Sequence, residues 1–586
     1  MKQKKSSKAA IWWVLQNAGK AKIALMIMVV LEIALSVTGV YNALLYKGLV
    51  NSAIARDWDG FWFHAIAVIS LVAAQMMASI VFAFLAEMAK TKVENTCKKR
   101  LFSALLENDY ARVTATHSGE WMNRLTSDTV VVAGGFVDIL PGFLGLVTQI
   151  VAAVIALISI IPRAIFVALP GGIALIFLTL GFRKKMKRLH KDIQETDGRL
   201  RVLMQERLES MLVIRAFSQE KRTEDLADEK MQDHRAARMR RKLFSGFASL
   251  GYSVVIRGVY LGGAVYCGLG ILRGVLTYGD FTAVLQLINQ LSAPFASVSS
   301  YIPQYFAVVA SAERLMEAEN FARTKNLEQD EASIAENRKF ESIGIRDVSF
   351  TYQAPVNRGE EDHPQMPVVL ENINLEVKRG EYVAFVGPSG CGKSTVLKLL
   401  MGLYPVDKGE LYLRVNGKER GLVENCRGLY AYVPQGNQLI SGTIRDIMTF
   451  GDIEAMKDDE GLWKALEIAC ADSFIRELDT GLDTVLGEHG AGLSEGQMQR
   501  IAIARAVYSS HPVLLLDEAT SSLDEKTEQL LLDNLRAMTD KTVIIVTHRP
   551  AVLNIVDAAV DFGKMRTETG MEKEHAETFL ERKFEV

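Results

Sequence analysis

Metal-ligand spacing is missing from this sequence. Its five cysteines, Cys97, Cys267, Cys391, Cys426 and Cys470, are scattered through 586 residues. That excludes a thiolate metal site and a disulfide framework, and the thiols are read as reduced. A surplus of charge is missing too. Lys and Arg number 67 against 69 Asp and Glu, for a net charge of −2, so no concentrated basic face for nucleic acid is expected. Nor is a secretory signal expected. A basic arm does precede an apolar segment, but that segment is too long for a signal and further apolar segments follow it. What the chain does have is asymmetry. Residues from about 23 to 310 carry long apolar runs, while those from about 340 onward read as a soluble α/β protein. A chain this long exceeds one ordinary core, so two or more domains are expected.

Six stretches, 23–45, 63–85, 139–161, 164–180, 247–271 and 281–309, are apolar over about the 20 residues that a bilayer crossing needs. Only Pro162 and Arg163 separate the third from the fourth, which predicts a tight helical hairpin. Basic residues crowd the N-terminal arm (Lys2, Lys4, Lys5, Lys8, Lys20, Lys22) and the connections after spans two and four. The opposite connections hold only Lys47, Arg56, Arg163 and Arg273. This bias places both termini in the cytoplasm, and the expected location is a cell membrane, a bacterial inner or plasma membrane. Trp12 and Trp13 beside Lys8 suit a short interfacial helix before the first span.

The two cytoplasmic connections run to about 45 and 60 residues. Residues 183–242 contain almost no glycine or proline and repeat Leu200, Leu203, Met204, Leu208, Met211 and Leu212 at helical spacing. They predict helices continuous with the spans. Irregular patches near 110–118 and 210–218 predict a short transverse helix at each tip. Glu32, Asp138 and Arg257 fall in or near the apolar runs, with two readings open: a polar translocation path, or pairing between helices. Gly258 and Gly262 form a small-xxx-small pair that predicts helix packing.

The charged stretch 318–342 reads as a linker between a membrane domain, 1–317, and a soluble domain, 343–586. In the second, the strand-like run 382–386 leads into Gly387-Pro388-Ser389-Gly390-Cys391-Gly392-Lys393-Ser394-Thr395. This is G-x-x-x-x-G-K-S between a strand and a helix. Its glycines let backbone N–H groups cradle phosphates, Lys393 reaches the terminal phosphates, and Ser394 offers a hydroxyl to Mg²⁺. A second apolar strand, 513–516, ends in Asp517 and Glu518. The first acid suits a Mg²⁺ ligand, through water, and the second a base acting on water. A third strand, 543–546, brings Thr547 and His548 to the same carboxyl edge.

In this order the motifs resemble the nucleotide-binding domain of ATP-binding-cassette proteins. Leu493-Ser494-Glu495-Gly496-Gln497, followed by Gln499 and Arg500, looks like that family's signature. Tyr432-Val433-Pro434-Gln435 resembles its Q-loop, Ser522-Leu523-Asp524 its D-loop, and Gly487-Glu488-His489-Gly490 its exporter-type loop. Six spans with two long cytoplasmic excursions match its membrane half, so the resemblance covers nearly the whole chain. It implies a six-helix exporter-type membrane domain followed by an α/β P-loop ATPase. It also implies that Tyr352 stacks on adenine, that 387–395 hold the triphosphate, and that Ser394, Gln435 and Asp517 serve Mg²⁺. Glu518 would be the general base, and His548 would contact the γ-phosphate. Ser494, Gly496 and Gln497 would clamp ATP held by a partner subunit. One chain carries one of each, which implies a half-transporter working as a homodimer or heterodimer, and the patches near 110–118 and 210–218 match coupling helices.

Three departures stand out: Glu495 in place of a signature glycine, a polar insertion over 353–367, and a weak match to the last strands after His548. The expected function is ATP-driven export of an amphipathic small molecule, peptide or lipid. Import on an exporter-like scaffold, as in siderophore uptake, and an ATP-gated channel or regulatory ATPase are the alternatives. The intact Glu518 and His548 speak against the channel. No protease-like segment precedes the first span, which disfavours exporters of leader-carrying peptides.

Overall fold

The computed structural model describes residues 2–107, 110–116, 118–162, 165–319, 329–352, 367–436, 439–487 and 492–563. Most of the insertion at 353–367, residues 488–490 and the tail past 563 therefore lie outside the described residues. The chain divides into two compact units, Met1–Phe102 with Met122–Glu319, and Ser103–Trp121 with Asn320–Val586.

The first unit is helical: α1 (Lys2–Asn17), α2 (Ala21–Ala55) and α3 (Trp58–Glu107), whose end enters the second unit. Short α4 (Tyr110–Thr114) and α5 (Ser118–Asn123) follow, then α6 (Thr129–Ile160) and α7 (Ile165–Glu209). Short α8 (Met211–Ala216), then α9 (Glu220–Leu272) and α10 (Tyr278–Glu319) complete the helical half, of which α4 and the start of α5 group with the second unit. Among the described residues, 21–55, 58–107, 118–160 and 220–272 are apolar and long enough to cross a membrane. The remaining two expected spans fall in α7 and α10, 45 and 42 residues long. At 1.5 Å per residue α3 and α9 reach about 75–80 Å, more than twice the hydrocarbon thickness. Their surplus length is the helical excursion read from the sequence. Ile66, Met76, Ile80 and Phe84 of α3 stand exposed. A row of apolar side chains that no other element covers is what lipid, not water, would accommodate.

α2, α6 and α10 pack together around small residues. A Cβ on Gly145 of α6 would lie 2.4 Å from the Glu32 side chain, so Glu32 rests directly on the α6 backbone. Asp138 accepts a 3.4 Å hydrogen bond from Gln304 of α10. These two acids make contacts between helices, whereas Arg257 is exposed on α9. Among the described residues of this chain, nothing lies within 4 Å of a Cβ at Gly258 or Gly262, the pair expected to pack helices. The close approach falls one residue on, at Gly263, where Ile288 of α10 would be 2.8 Å away.

Buried and half-buried ion pairs fasten this bundle. Arg314 of α10 grips Asp128 through both carboxylate oxygens, Nε to Oδ2 at 2.7 Å, and Ser311 donates to the same group at 2.9 Å. Asp128 closes a single π-helical turn, Arg124–Asp128, just ahead of α6. Lys47 of α2 pairs with Asp280 at 2.7 Å. Trp13 of α1 donates to Glu319 at 2.8 Å, and Arg100 of α3 binds the same carboxylate at 2.9 Å. Trp13 thus anchors α1 to α10, while Trp12 stays 62% exposed.

In the second unit α11 (Glu331–Asn337) precedes strands β1 (Ser342–Phe350), β2 (Leu370–Lys378) and β3 (Tyr382–Val386). After them come α12 (Lys393–Leu400), β4 (Lys408–Val415), β5 (Lys418–Gly421), α13 (Leu422–Asn425), β6 (Tyr430–Val433) and β7 (Gly442–Thr443). A helical segment, α14 (Ile444–Thr449), α15 (Asp459–Ile468) and α16 (Asp472–Arg476), leads through β8 (Val485–Leu486) to α17 (Glu495–Tyr508). β9 (Val513–Asp517), α18 (Glu525–Arg536), β10 (Thr542–Val546) and β11 (Ala558–Asp561) close the fold.

Two sheets result. β2-β1-β4-β5 is antiparallel, and β11-β3-β10-β9-β6 is parallel, with β9 and β10 buried along their whole length. That double-sided burial is why both read as unbroken apolar runs. β11 pairs with β3, so the weakly matching stretch after His548 does supply an edge strand.

Burial, with Arg338 and Lys541 nearby, holds the His511 imidazole below its ordinary value. Its Nδ1 is buried and unbonded among the described residues. The folded state therefore keeps His511 neutral, while the unfolded chain takes up a proton near pH 6.5. Unfolding then binds the extra proton, and stability falls as pH drops below about 6.5. His511→Gln should flatten that decline, which thermal unfolding between about pH 7.5 and 5.5 would measure.

Candidate functional site

The site lies at the carboxyl ends of β3, β9 and β10, where parallel sheets present ligand-binding loops. β3 runs into the 387–392 loop, and α12 begins at Lys393. Gly387, Gly390 and Gly392 have φ of 138°, 79° and 103°, a region that side-chain-bearing residues rarely enter. A Cβ on Gly392 would also sit 2.6 Å from Leu370. The loop's path therefore needs glycine for both backbone angle and space. Lys393 is buried, and its Nζ donates to the Gly387 and Pro388 carbonyls at 2.8 and 2.9 Å. Its ammonium is folded back into the loop that an anion would fill.

Beside it, Ser394 donates to Asp517 Oδ1 at 2.9 Å, and Tyr432 donates to Asp517 Oδ2 at 3.1 Å. Burial pushes the Asp517 carboxyl above the ordinary carboxylate value, and those two donors draw it part of the way back. Burial likewise raises the Tyr432 phenol well above its usual value, with the adjacent Asp517 adding to the rise. The phenol is thus held as a donor. A hydroxyl and a carboxylate beside a phosphate loop form a hard oxygen donor set, which fits Mg²⁺ completed by phosphate and water.

Glu518 follows with φ 50°, a left-handed backbone unusual for a side-chain-bearing residue. Its N–H donates to Val546 of β10 at 3.0 Å, which pins the turn. Such conformations cost about 1–3 kcal/mol and persist only where surrounding structure enforces them. Glu518 Oε1 lies 3.4 Å from His548 Nε2, which is also 3.4 Å from Lys393 Nζ. Gln435 donates its amide N–H to Glu518 Oε2 at 2.8 Å, and so meets the second acid. Lys393, Ser394, Gln435, Asp517, Glu518 and His548, distant in sequence, meet here.

Tyr352 reaches the same neighbourhood, with its hydroxyl 3.1 Å from Thr395 Oγ1 and its ring edge-on to Phe350 and Tyr404. Tyr404 in turn meets the ring of Tyr110 in α4 at 5.8 Å and Thr114 Oγ1 at 3.5 Å. The expected transverse helix of the first excursion therefore exists and packs on this unit. Sequence reading had no signal for its aromatic partner. The second expected helix is α8, and its tip is bare: Leu212 is 83% and Phe217 73% exposed.

The signature residues lie apart from this pocket, at the start of α17. Ser494 and Gln497 form a reciprocal capping box. A Cβ on Gly496 would meet the Ser522 carbonyl at 2.8 Å, so glycine lets α17 close against the 522–524 loop. Gln499 bonds both Ser521 and Ser522, and Asp524 caps α18. Glu495 sits exposed in the first turn of α17, where a carboxylate favours the helix dipole. Two roles went unread in the sequence: the bond to Asp517 from Tyr432, which was named only within the Q-loop resemblance, and that of Arg549, which donates to Ser521, Leu523 and Glu528. A phenol in a short apolar strand three residues before Gln435 was the available sign of the first.

A helical unit of membrane-crossing length, joined to a phosphate-loop domain with two acids and a histidine at its edge, defines an ATP-driven membrane transporter. The family comparisons agree. The ABC transporter transmembrane region matches residues 25–295, and the ABC transporter family matches 370–521. The chain belongs to the ATP-binding-cassette transporters, as a multi-pass membrane protein of the exporter type with a nucleotide-binding ATPase fused to its membrane domain.

It is 28% identical over 552 residues to the ATP-dependent lipid A-core flippase of Mannheimia succiniciproducens, covering 91% of each chain. It is 29% identical over 504 residues to ABC transporter B family member 1 of Dictyostelium discoideum. That alignment takes in 85% of this chain but 53% of the relative, so the chain spans about half of that protein's length. Its fold matches a bacterial Atm1-family ABC exporter solved with ATP bound, at a TM-score of 0.73 and 21% identity, covering 95% of this chain and 99% of that one.

Proposed function

We propose that this chain is one half of a dimeric exporter that moves an amphipathic solute, a lipid or drug-like compound, out of the cytoplasm by alternating access. The supporting observation is the meeting of Lys393, Ser394, Asp517, Glu518 and His548 at one edge, while the residues of the signature stand at the start of a separate helix. Such a site is closed by a second subunit. The flippase relative carries a lipid in its name, which supports a lipid-like cargo.

In this reading the backbone N–H groups of 387–395 hold the triphosphate. Lys393 exchanges its two loop carbonyls for phosphate oxygens, and Tyr352 stacks on adenine. Ser394 and Asp517 hold Mg²⁺, with the Gln435 amide oxygen turned towards it; the ion would neutralise the phosphate charge that develops on transfer. Glu518 accepts a proton from the attacking water, and His548 donates to the γ-phosphate. Ser494, Gly496 and Gln497 clamp ATP on the partner. Glu495 sets a negative charge there, which weakens closure and is offset by the helix cap it strengthens. Closing two such sites has to supply about 5.5 kcal/mol to swing the spans from one orientation to the other.

The bare tip of α8 is assigned to the partner's ATPase domain. Met211, Leu212, Val213 and Phe217 are exposed apolar side chains, and so are Ile440, Phe450, Ile453 and Val485 of the ATPase domain. A thiol-specific cross-linker between Leu212→Cys and Ile440→Cys should give a species of twice the subunit mass. The same two variants cross-linking only within one chain would contradict the assignment.

Transport itself is tested in inside-out vesicles carrying the full protein. A fluorescent amphipathic probe should accumulate with Mg-ATP and not without it. Release of preloaded probe under ATP would instead indicate import.

A further inference from the structure

We propose that Tyr432 is a positioning residue for the cation-holding carboxylate of Asp517, fixing which of its oxygens faces the nucleotide. This rests on the reading of Asp517 as a Mg²⁺ ligand. A carboxylate has no proton to give, so the 3.1 Å contact runs from the Tyr432 hydroxyl to Oδ2. Ser394, the phosphate-loop hydroxyl, takes Oδ1 at 2.9 Å. The two oxygens of one acid are thereby assigned to two different neighbours.

The placement follows from strand register. β6 pairs in parallel with β9, and Tyr432 lies opposite Leu515, two residues before Asp517. Ala431 and Val433 turn to one side of the sheet, into the cluster containing Leu514 and Leu516. Tyr432 turns to the other, against the cluster that contains Leu515 and Val396 and Leu397 of the phosphate-loop helix. Its ring is thus packed and its hydroxyl reaches the end of the neighbouring strand. A carboxylate's terminal torsion is broad and two-fold, so without a second donor Asp517 can turn. Asp517 is only 3% exposed, which leaves little room for water to replace the phenol. Outer partners of metal-holding groups change metal affinity by about 10–100-fold when removed. Tyr432 is the nearest such partner here.

Tyr432→Phe keeps the ring and its packing, and removes the donor. The test uses the full-length assembly in detergent or nanodiscs, with Mn²⁺ as a paramagnetic probe titrated against ATP-loaded protein. Half-saturating Mn²⁺ should rise about tenfold in Tyr432→Phe, while binding of a fluorescent ATP analogue in chelator stays within about twofold of the parent. In turnover at varied Mg²⁺, the half-saturating concentration should rise more than kcat falls. Asp517→Asn is the companion variant. If it binds Mn²⁺ like the parent, the reading of Asp517 as ligand fails. If it loses Mn²⁺ while Tyr432→Phe does not, Asp517 stands and the positioning role of Tyr432 is overturned. Equal loss of chelator-state nucleotide binding and Mn²⁺ binding in Tyr432→Phe would mark a merely structural residue and also overturn it.

Discussion

Glu518→Gln is expected to cut Mg²⁺-dependent ATP hydrolysis between roughly 10²- and 10⁴-fold, the usual contribution of a positioned base, while ATP binding is kept. The geometry supports so selective an effect. Glu518 does not hold the phosphate loop; its carboxylate faces Gln435 at 2.8 Å and His548 at 3.4 Å. Glutamine matches its size and can keep the left-handed turn pinned through the N–H to Val546 at 3.0 Å. What it lacks is the capacity to take a proton from water. Single-turnover hydrolysis and nucleotide binding measured on the same sample separate the two. Hydrolysis unchanged in Glu518→Gln would move the base elsewhere in the site, and loss of binding would make Glu518 part of the cradle.

The second large effect is on stability. Asp128→Ala should destabilise the membrane unit by about 3 kcal/mol, the low end for breaking one side of a buried pair. The low end applies because Arg314 is 34% exposed and can find water once its partner is gone, whereas Asp128 is 3% exposed. The loss would still reach beyond one bond. Ser311 and both nitrogens of Arg314 converge on this carboxylate, at the point where a π-turn feeds α6. Thermal unfolding in detergent should show a midpoint lowered by several degrees, and Asp128→Asn, which keeps an acceptor oxygen, should fall between. A midpoint unchanged in Asp128→Ala would mean that α6 and α10 are held by packing alone.

Much of the site was legible because its chemistry is local. The 387–395 loop takes its shape from glycines at fixed offsets, and β9 and β10 announce themselves as apolar runs ending in Asp517, Glu518 and His548. The division into long helices and an α/β unit was legible for the same reason, since apolar length and alternation are properties of short windows. Contacts set by strand register were not. Nothing within a few residues of Tyr432 says that its hydroxyl meets Asp517, 85 positions away. Gln435, implied by resemblance to serve the cation, also donates its amide N–H to Glu518, a contact the sequence did not signal. The glycine pair at 258 and 262 was read from spacing, whereas the close approach seen within the chain, Gly263 against Ile288, depends on which face a neighbour occupies.

The pairing of Tyr110 with Tyr404 bears on how the chain can be divided. Sequence places the join near 318–342, yet 103–121 belongs in space with the ATPase. A soluble fragment begun at Ser342 would inherit the sheets and the nucleotide pocket but leave behind α4. It would be born without the ring that meets Tyr404, next to Tyr352, the tyrosine proposed to stack on adenine. Rates measured on such a fragment would describe an orphan, deprived of the piece of membrane domain that completes its own surface.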